Sequence, residues 1–361
     1  MGWTLRRYFL RRYVVTTAWF FFGLFALIFL IDFTEFTSRV AGITGYTVPL
    51  GLGMSALRVP MVVLQTTPFV ALFSAMALLI TLNRKYELVV ARSAGISAWQ
   101  FLAPLCFGAF VFGALAVAII NPLAAQGFAR AQELEAELRT GKSNAISAYS
   151  SPWLRQKTDG GDTIIGARAV LGQGLQLSDA VFLALDESGS LKERYDARRA
   201  DLRSNYWELT DVRRFREGEV IESLPSARIP TNLKPEYVQE RLAQPETIPF
   251  YELPRKIAAA QSFGLRADAF SMQFHSLIAL PFLLVAMTLI AATVSMRFAR
   301  LGQSSAMILG GVTAGFLLYV VSVLVRAFGD AGLVPPVIAA WIPVVVASFF
   351  GITFLLYKED G

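Results

Sequence analysis

Charged and apolar positions follow two different rhythms along this chain. Six stretches contain no charged residue: Tyr13–Ile31, Val59–Asn83, Ser93–Ala129, Ala269–Met296, Leu301–Val325 and Ala331–Tyr357. Each holds 19 residues or more, the length of helix that crosses the apolar core of a bilayer. Three precede and three follow a block from Arg130 to Asp268, which carries 20 of the 33 Lys and Arg and 21 of the 27 Asp and Glu. The pattern predicts a polytopic α-helical membrane protein with six transmembrane helices, divided 3 + 3 by a water-soluble insert.

The third stretch, Ser93–Ala129, has 37 residues, more than the roughly 20 a bilayer requires. Gly95 and Ser97 predict a turn before Trp99, and Asn121-Pro122 predicts the far boundary, leaving a span over about 99–121. Gln126 to Arg139, with Phe128, Leu134 and Leu138 among Ala and Glu, reads as a helical extension out of the membrane. Inside the insert the period shortens. Asp162–Val170, Ala180–Leu185, Asn205–Val212 and Arg214–Glu222 are β-rich or alternate apolar with charged positions, and Asp186–Ser190 is a turn cluster. Strands this closely spaced, without intervening helical patterns, predict an antiparallel sandwich, barrel or jelly roll. Pro225 to Pro254 holds six prolines and reads as an extended return, with a helix over Tyr251–Phe263. The expected division is a membrane half at 1–129 (spans about 13–36, 59–82 and 99–121, and a short amphipathic helix about 84–96), a β-domain at 130–265, and a second membrane half at 266–361 (spans about 270–296, 302–326 and 333–357).

Composition supports this reading: 55% hydrophobic against 17% charged residues would leave a soluble domain short of polar surface. The net charge of +6 is no sign of nucleic acid, because the insert is close to neutral and the excess belongs to the membrane part. Its distribution is topological. With the N-terminus in the cytoplasm, ten basic residues near span ends (Arg6, Arg7, Arg11, Arg12, Arg84, Lys85, Arg92, Arg297, Arg300 and Lys358) fall inside, against Arg39, Arg58 and Arg326 outside. Both termini are then cytoplasmic and the insert lies across the membrane, in the periplasm of a bacterium. The first apolar run, with Trp19–Phe22, continues to Asp32 and reads as a retained helix rather than a cleaved signal. The one cysteine, Cys106, excludes an intramolecular disulfide.

Enzymatic signals are scarce. The chain has no Walker A loop, HExxH, CxxC or GxSxG motif, and its one histidine is His275. No catalytic, cofactor or metal-binding residues are assigned. His275 reads as a helix-interface histidine or, given a carboxylate partner, as a proton relay. Gly310, Gly311 and Gly315 allow close helix contact, within the chain or between chains. Asp32, Glu35 and Arg39 share one helix face and form either a salt-bridge ladder or a charged rim over an apolar cavity; Arg130 and Arg326 join the second reading. Such a rim suits an amphiphile with anionic head groups, since the arginine fork pairs well with phosphate. In the loop Asn83–Ser97, Tyr86, Val89, Val90 and Ser93 fall on one helical face, while Glu87 and the basic residues can face outward. This segment is an inert interfacial helix or a lever that takes force from a cytoplasmic partner.

The run Arg84-Lys-Tyr-Glu-Leu-Val-Val-Ala-Arg-Ser-Ala-Gly-Ile-Ser97 resembles the loop motif of the YjgP/YjgQ family, the lipopolysaccharide export permeases LptF and LptG. The likeness extends over essentially the whole chain. Arg7-Tyr-Phe-Leu-Arg-Arg-Tyr13, the span ending Leu30-Ile-Asp-Phe-Thr-Glu-Phe36, the segment Pro230–Pro235 and the short tail are more similar to the LptG branch than to the alternative, LptF. The resemblance implies a non-catalytic permease subunit of an ABC transporter in the bacterial inner membrane, with a periplasmic β-jellyroll. It implies an LptF-like permease as heterodimer partner, an LptB-like ATPase dimer and an LptC-like single-span bridge protein. Lipopolysaccharide would be extracted from the inner membrane and passed toward the outer one. Glu87 would be the coupling acid, with Arg84, Arg92 and Gly95 beside it, and spans one and five the lateral gates. The family's basic cluster is matched at Arg39 but crowded by Glu133, Glu135 and Glu137. Two other classes remain: a membrane sensor or scaffold, which would need a cytoplasmic output domain where the loops are short, and a lipid-modifying enzyme, for which no constellation is visible.

Overall fold

The computed structural model describes residues 2–40, 47–140, 153–158, 161–171, 176–186, 190–203, 205–216, 222–231, 244–262, 267–295 and 305–359. Arg297, Arg300 and residues 232–235, which bear on the topology and branch readings, lie outside these. Among the described residues, six helices are long and apolar enough to cross a membrane. The first, α1 (Trp3–Val40), starts well before the expected span because Phe9 and Tyr13 are buried against its neighbours. α2 (Val48–Arg84) ends beside the short α3 (Glu87–Ser93), and α4 (Ala98–Leu115) leads into α5 (Asn121–Thr140). After the sheet come α6 (Leu253–Ser262), α7 (Asp268–Ser295), α8 (Ser305–Asp330) and α9 (Pro336–Glu359).

Asn121-Pro122 does not end the helix. The helix continues through it by way of a π-helical turn, Ala116–Ile120. Proline at 122 has no N–H to donate to the carbonyl four residues back, and a π turn accommodates the missing bond. That carbonyl, Ala118 O, instead accepts from the Tyr251 hydroxyl at 3.2 Å, while Asn121 Oδ1 accepts from the Phe250 N–H at 2.9 Å. The chain returning from the insert is thus strapped across the irregular turn, with Ile248 and Leu253 in the same buried cluster as Ala116, Val117 and Ala124.

α2 and α7 form the middle of the bundle, with α1 and α4–α5 on one side and α8 and α9 on the other. The main core joins Leu72, Leu79 and Leu82 of α2, Phe101 and Leu105 of α4, and Leu284 and Met287 of α7 to Phe9 and Tyr13 of α1. In α8, a Cβ at Gly311 would come within 2.8 Å of Met76 Cε, and one at Gly315 would collide with Leu72. Those two glycines serve packing within the chain.

The insert forms a six-stranded antiparallel sheet in chain order: β1 (Trp153–Thr158), β2 (Gly161–Leu171), β3 (Gln176–Leu185), β4 (Leu191–Leu202), β5 (Tyr206–Arg216) and β6 (Glu222–Pro230). The antiparallel β-domain is as expected, but its winding is a meander: among the described strands there is no crossover of the kind that defines a jelly roll. The start of the segment expected to be an extended return is β6. Pro225 is tolerated because it lies on one row, Arg168, Asp179, Arg198, Asp211 and Pro225, that the ladder skips between every strand pair from β2 to β6. Asp179 and Asp211 adopt left-handed backbone there, with φ of 48° and 55°. The inward-facing positions change parity across the row: Trp207 and Leu209 lie on one side of it and Val212 on the other, all buried. This crease rolls a single sheet over its own core of Ile165, Phe182, Ala197, Trp207 and Leu209. The edges meet at one end, where Gln156 of β1 donates to Pro230 O at 3.2 Å and accepts from the Thr231 hydroxyl.

Candidate functional site

Two regions at opposite ends of the helices gather the predicted residues. At the first, α2 ends at Arg84, so the helix expected over 84–96 is shorter, Glu87–Ser93, and Arg84 belongs to the preceding element. Tyr86 turns the chain with φ of 61°, and Gly95, at 78°, closes α3 with its N–H bonded to Arg92 O at 2.9 Å. Leu88 and Ala91 bury the inner face of α3, Leu88 within the main core beside Phe9. Tyr86, Val89 and Val90 are left 61%, 44% and 64% exposed, an apolar face available to a membrane surface or a protein. Arg84 and Arg92 are exposed. Glu87 does not face freely outward: it is half-buried and accepts a hydrogen bond from the Tyr8 hydroxyl of α1 at 2.9 Å.

At the other end, the expected single-helix cluster is shared among three helices. Glu35 pairs with Arg39 at 3.2 Å along α1. Asp32 pairs instead with Arg58 of α2 at 3.5 Å, and Arg58 also reaches Glu135 of α5 at 3.8 Å and lies over the Phe36 ring, 5.6 Å from its centre. Asp32 and Arg58 are each only 13% exposed, so each needs its opposite charge. Sequence reasoning missed Arg58, reading it as a topology signal. Its place immediately before the second uncharged stretch was the available clue. Arg130 is exposed on α5.

Arg326, on α8, is placed apart from these groups. It bonds to Gln273 of α7 and lies 4.0 Å from Glu246, on the strap from the insert, and 3.9 Å from Asp330. These groups stand at the edge of a cavity of about 320 Å³ between α2, α7, α8 and α9, whose walls include Leu64, Leu280, Met287 and Val344. His275 is half-buried, its ring edge-on to Phe274 at 5.4 Å.

Between these ends α1 is only partly covered, with Phe21 edge-on to Phe112 of α4 at 5.8 Å. Its buried residues are Phe9, Tyr13 and Thr17 near one end and Phe36 and Val40 near the other. The inner three are pinned: the Tyr13 and Thr288 hydroxyls share a 3.4 Å bond, and Thr17 donates to Ser74 Oγ at 3.1 Å. Trp19, Phe22, Leu27 and Leu30 in between are exposed, as are Phe316, Leu317 and Leu324 of α8. Both faces present more apolar surface than a folded chain leaves to water.

The family model for the lipopolysaccharide export system permease LptF/LptG matches residues 7–357. Two curated proteins, each named lipopolysaccharide export system permease protein LptG, from Escherichia coli K12 and Escherichia coli O6:H1, are 26% identical over 354 residues, covering 94% of this chain and 94% of theirs.

Proposed function

The chain belongs to the lipopolysaccharide export permease family LptF/LptG, and on that footing we propose that it is the LptG-type subunit of an ABC exporter. It extracts lipopolysaccharide from the bacterial inner membrane and passes it to a periplasmic bridge toward the outer membrane. An LptF-like permease pairs with it, an LptB-like ATPase dimer docks on α3, and an LptC-like single-span protein continues the path from the sheet. Both termini are cytoplasmic and the sheet is periplasmic; the ten basic residues on one side against three on the other support this sidedness.

The observation that carries the reading is the middle of α1, an apolar stretch with no fully buried residue between Thr17 and Phe36 and with Trp19, Phe22, Leu27 and Leu30 exposed. Lifting an acyl chain out of a bilayer costs about 0.8 kcal/mol for each methylene exposed, so export requires an apolar receiver and external work. The exposed faces of α1 and α8 supply one half of such a receiver, and a second permease supplies the other. Arg39 and Arg130 are the candidates for head-group phosphates, with Asp32 and Glu35 setting the local charge; Arg326 joins them when phosphate displaces Glu246 and Asp330. Glu87, with Arg84, Arg92 and the Gly95 turn, couples the ATPase to these helices.

The test is reconstitution of this chain with its partner permease and ATPase in proteoliposomes loaded with lipopolysaccharide. ATP-dependent release to an acceptor is expected, and Glu87→Ala abolishes it. Wild-type complex that hydrolyses ATP without releasing lipopolysaccharide overturns the transport reading; normal release by Glu87→Ala overturns the coupling role alone. Arg39→Glu is expected to reduce photocrosslinking of lipopolysaccharide about tenfold without loss of assembly.

A further inference from the structure

α3 is held to the bundle in two ways, and they differ in kind. Leu88 and Ala91 seat it by apolar burial, which is non-directional and tolerates sliding. The other attachment is directional: Tyr8 Oη donates to Glu87 Oε2 at 2.9 Å. Its donor stands on α1, next to Phe9, and the Tyr8 ring is itself held in place. Phe9 meets it edge-on at 5.7 Å, and the Arg12 guanidinium lies 5.1 Å from its centre. Tyr86, immediately before Glu87, has left-handed backbone, and no side chain caps α3. The Glu87 carboxylate is therefore directed by a residue of another helix.

We infer that Tyr8 is a positioning residue: it orients the Glu87 carboxylate for the partner ATPase and makes α1 the element that first feels the partner's movement. This rests on the coupling role proposed for Glu87. A hydrogen bond to an ionised acceptor is stronger than a neutral one and demands good alignment, so it transmits displacement where an apolar contact would slip. α1 is suited to carry it. Its 38 residues make a rod about 57 Å long, enough to span the bilayer. Movement at Tyr8 is taken up at the pins Phe9, Tyr13 and Thr17, about which the helix tilts, and beyond them no residue of α1 is fully buried until Phe36. Helix α2 also leads directly to α3, but it is buried along most of its length and is the part least free to move.

The experiment compares Tyr8→Phe, Glu87→Gln, Glu87→Ala and the double variant Tyr8→Phe/Glu87→Gln in the reconstituted complex. Lipopolysaccharide released per ATP hydrolysed is measured together with spin-label distances from the outer end of α1 to α7, with and without nucleotide. Tyr8→Phe keeps the ring, its contact with Phe9 and its cation–π partner, so a merely structural role would leave the coupling ratio unchanged. Loss of the hydroxyl is expected to lower that ratio about tenfold and to suppress the nucleotide-dependent movement of α1. The double variant should be no worse than Glu87→Gln alone, because the two changes remove one interaction. An unchanged ratio and an unchanged α1 movement in Tyr8→Phe, with Glu87→Ala inactive, overturns the inference and leaves the coupling role standing. Multiplicative losses in the double variant overturn it as well. If Glu87→Ala couples normally, the coupling role falls and this inference with it.

Discussion

The two ends of α1 are anchored by different chemistry. At the N-terminal end the pins are neutral and buried: Phe9 in the main core, the Tyr13–Thr288 hydroxyl pair and Thr17 on Ser74. At the C-terminal end a small apolar cluster of Phe36, Val40 and Met54 is joined by charges at looser distances, Asp32–Arg58 at 3.5 Å and Arg58–Glu135 at 3.8 Å. Neutral close packing has one favourable arrangement, whereas ion pairs of this length can exchange partners. The difference makes the N-terminal end a pivot and the C-terminal end a latch. The same contrast recurs on the far side of the bundle, where Gly311 and Gly315 seat α8 tightly while Arg326 holds the strap at 4.0 Å.

The comparison can be broken most severely at the pivot. Phe9→Ala should lower stability by about 3 kcal/mol, read as a fall in the melting temperature of the purified protein in detergent. A loss under about 1 kcal/mol would mean that the N-terminal end of α1 is not close-packed in solution. Next is the latch: Arg58→Ala strands the mostly buried Asp32 and should cost about 2 kcal/mol while broadening spin-label distances between α1 and α5. Replacing all three charges together (Arg58→Met, Asp32→Asn, Glu135→Gln) should recover most of that stability. If it does not, the triad contributes more than mutual neutralisation. Thr17→Val, which removes one buried hydroxyl bond, should cost about 1 kcal/mol without altering those distances.

The smallest effect concerns the sheet, whose outer face is also ionic. Burial pushes the Glu193 carboxyl up, but hydrogen bonds from Tyr195 and Arg216 and the charges of Arg216 and Arg214 outweigh this and hold it below its ordinary value. A depressed acid contributes stability that is present above its unfolded pKa and lost as pH falls through the folded one. Glu193→Gln should therefore flatten the acid limb of the sheet's melting curve below about pH 4, by less than about 1 kcal/mol, and leave stability at pH 7 to 8 lowered by a similar amount. An acid limb unchanged by the substitution would remove Glu193 from the account.

Much of the candidate site was legible only as a neighbourhood. The loop Arg84–Ser97 could be read as a short amphipathic helix because its periodicity is local, yet nothing local signals that Tyr8 reaches Glu87. Asp32, Glu35 and Arg39 share a helix face, and for Glu35 and Arg39 that proximity holds; Asp32 instead turns to Arg58, which a different helix brings near. The strands were visible from composition, but the crease was not. Alternation within a single strand cannot show that Asp179, Arg198, Asp211 and Pro225 align across four strands.

By itself the sequence determined the six spans, the insert between the third and fourth, and the asymmetry of basic residues. These depend on runs of hydropathy and charge, which act through the solvent each segment can enter and need no knowledge of neighbours. Tertiary structure alone decided which charges pair, how the third helix passes Pro122, and that α1 is buried at both ends and largely uncovered between. Hydrogen bonds and ion pairs act over a few ångströms, and helices distant in sequence reach that range only after the bundle has packed.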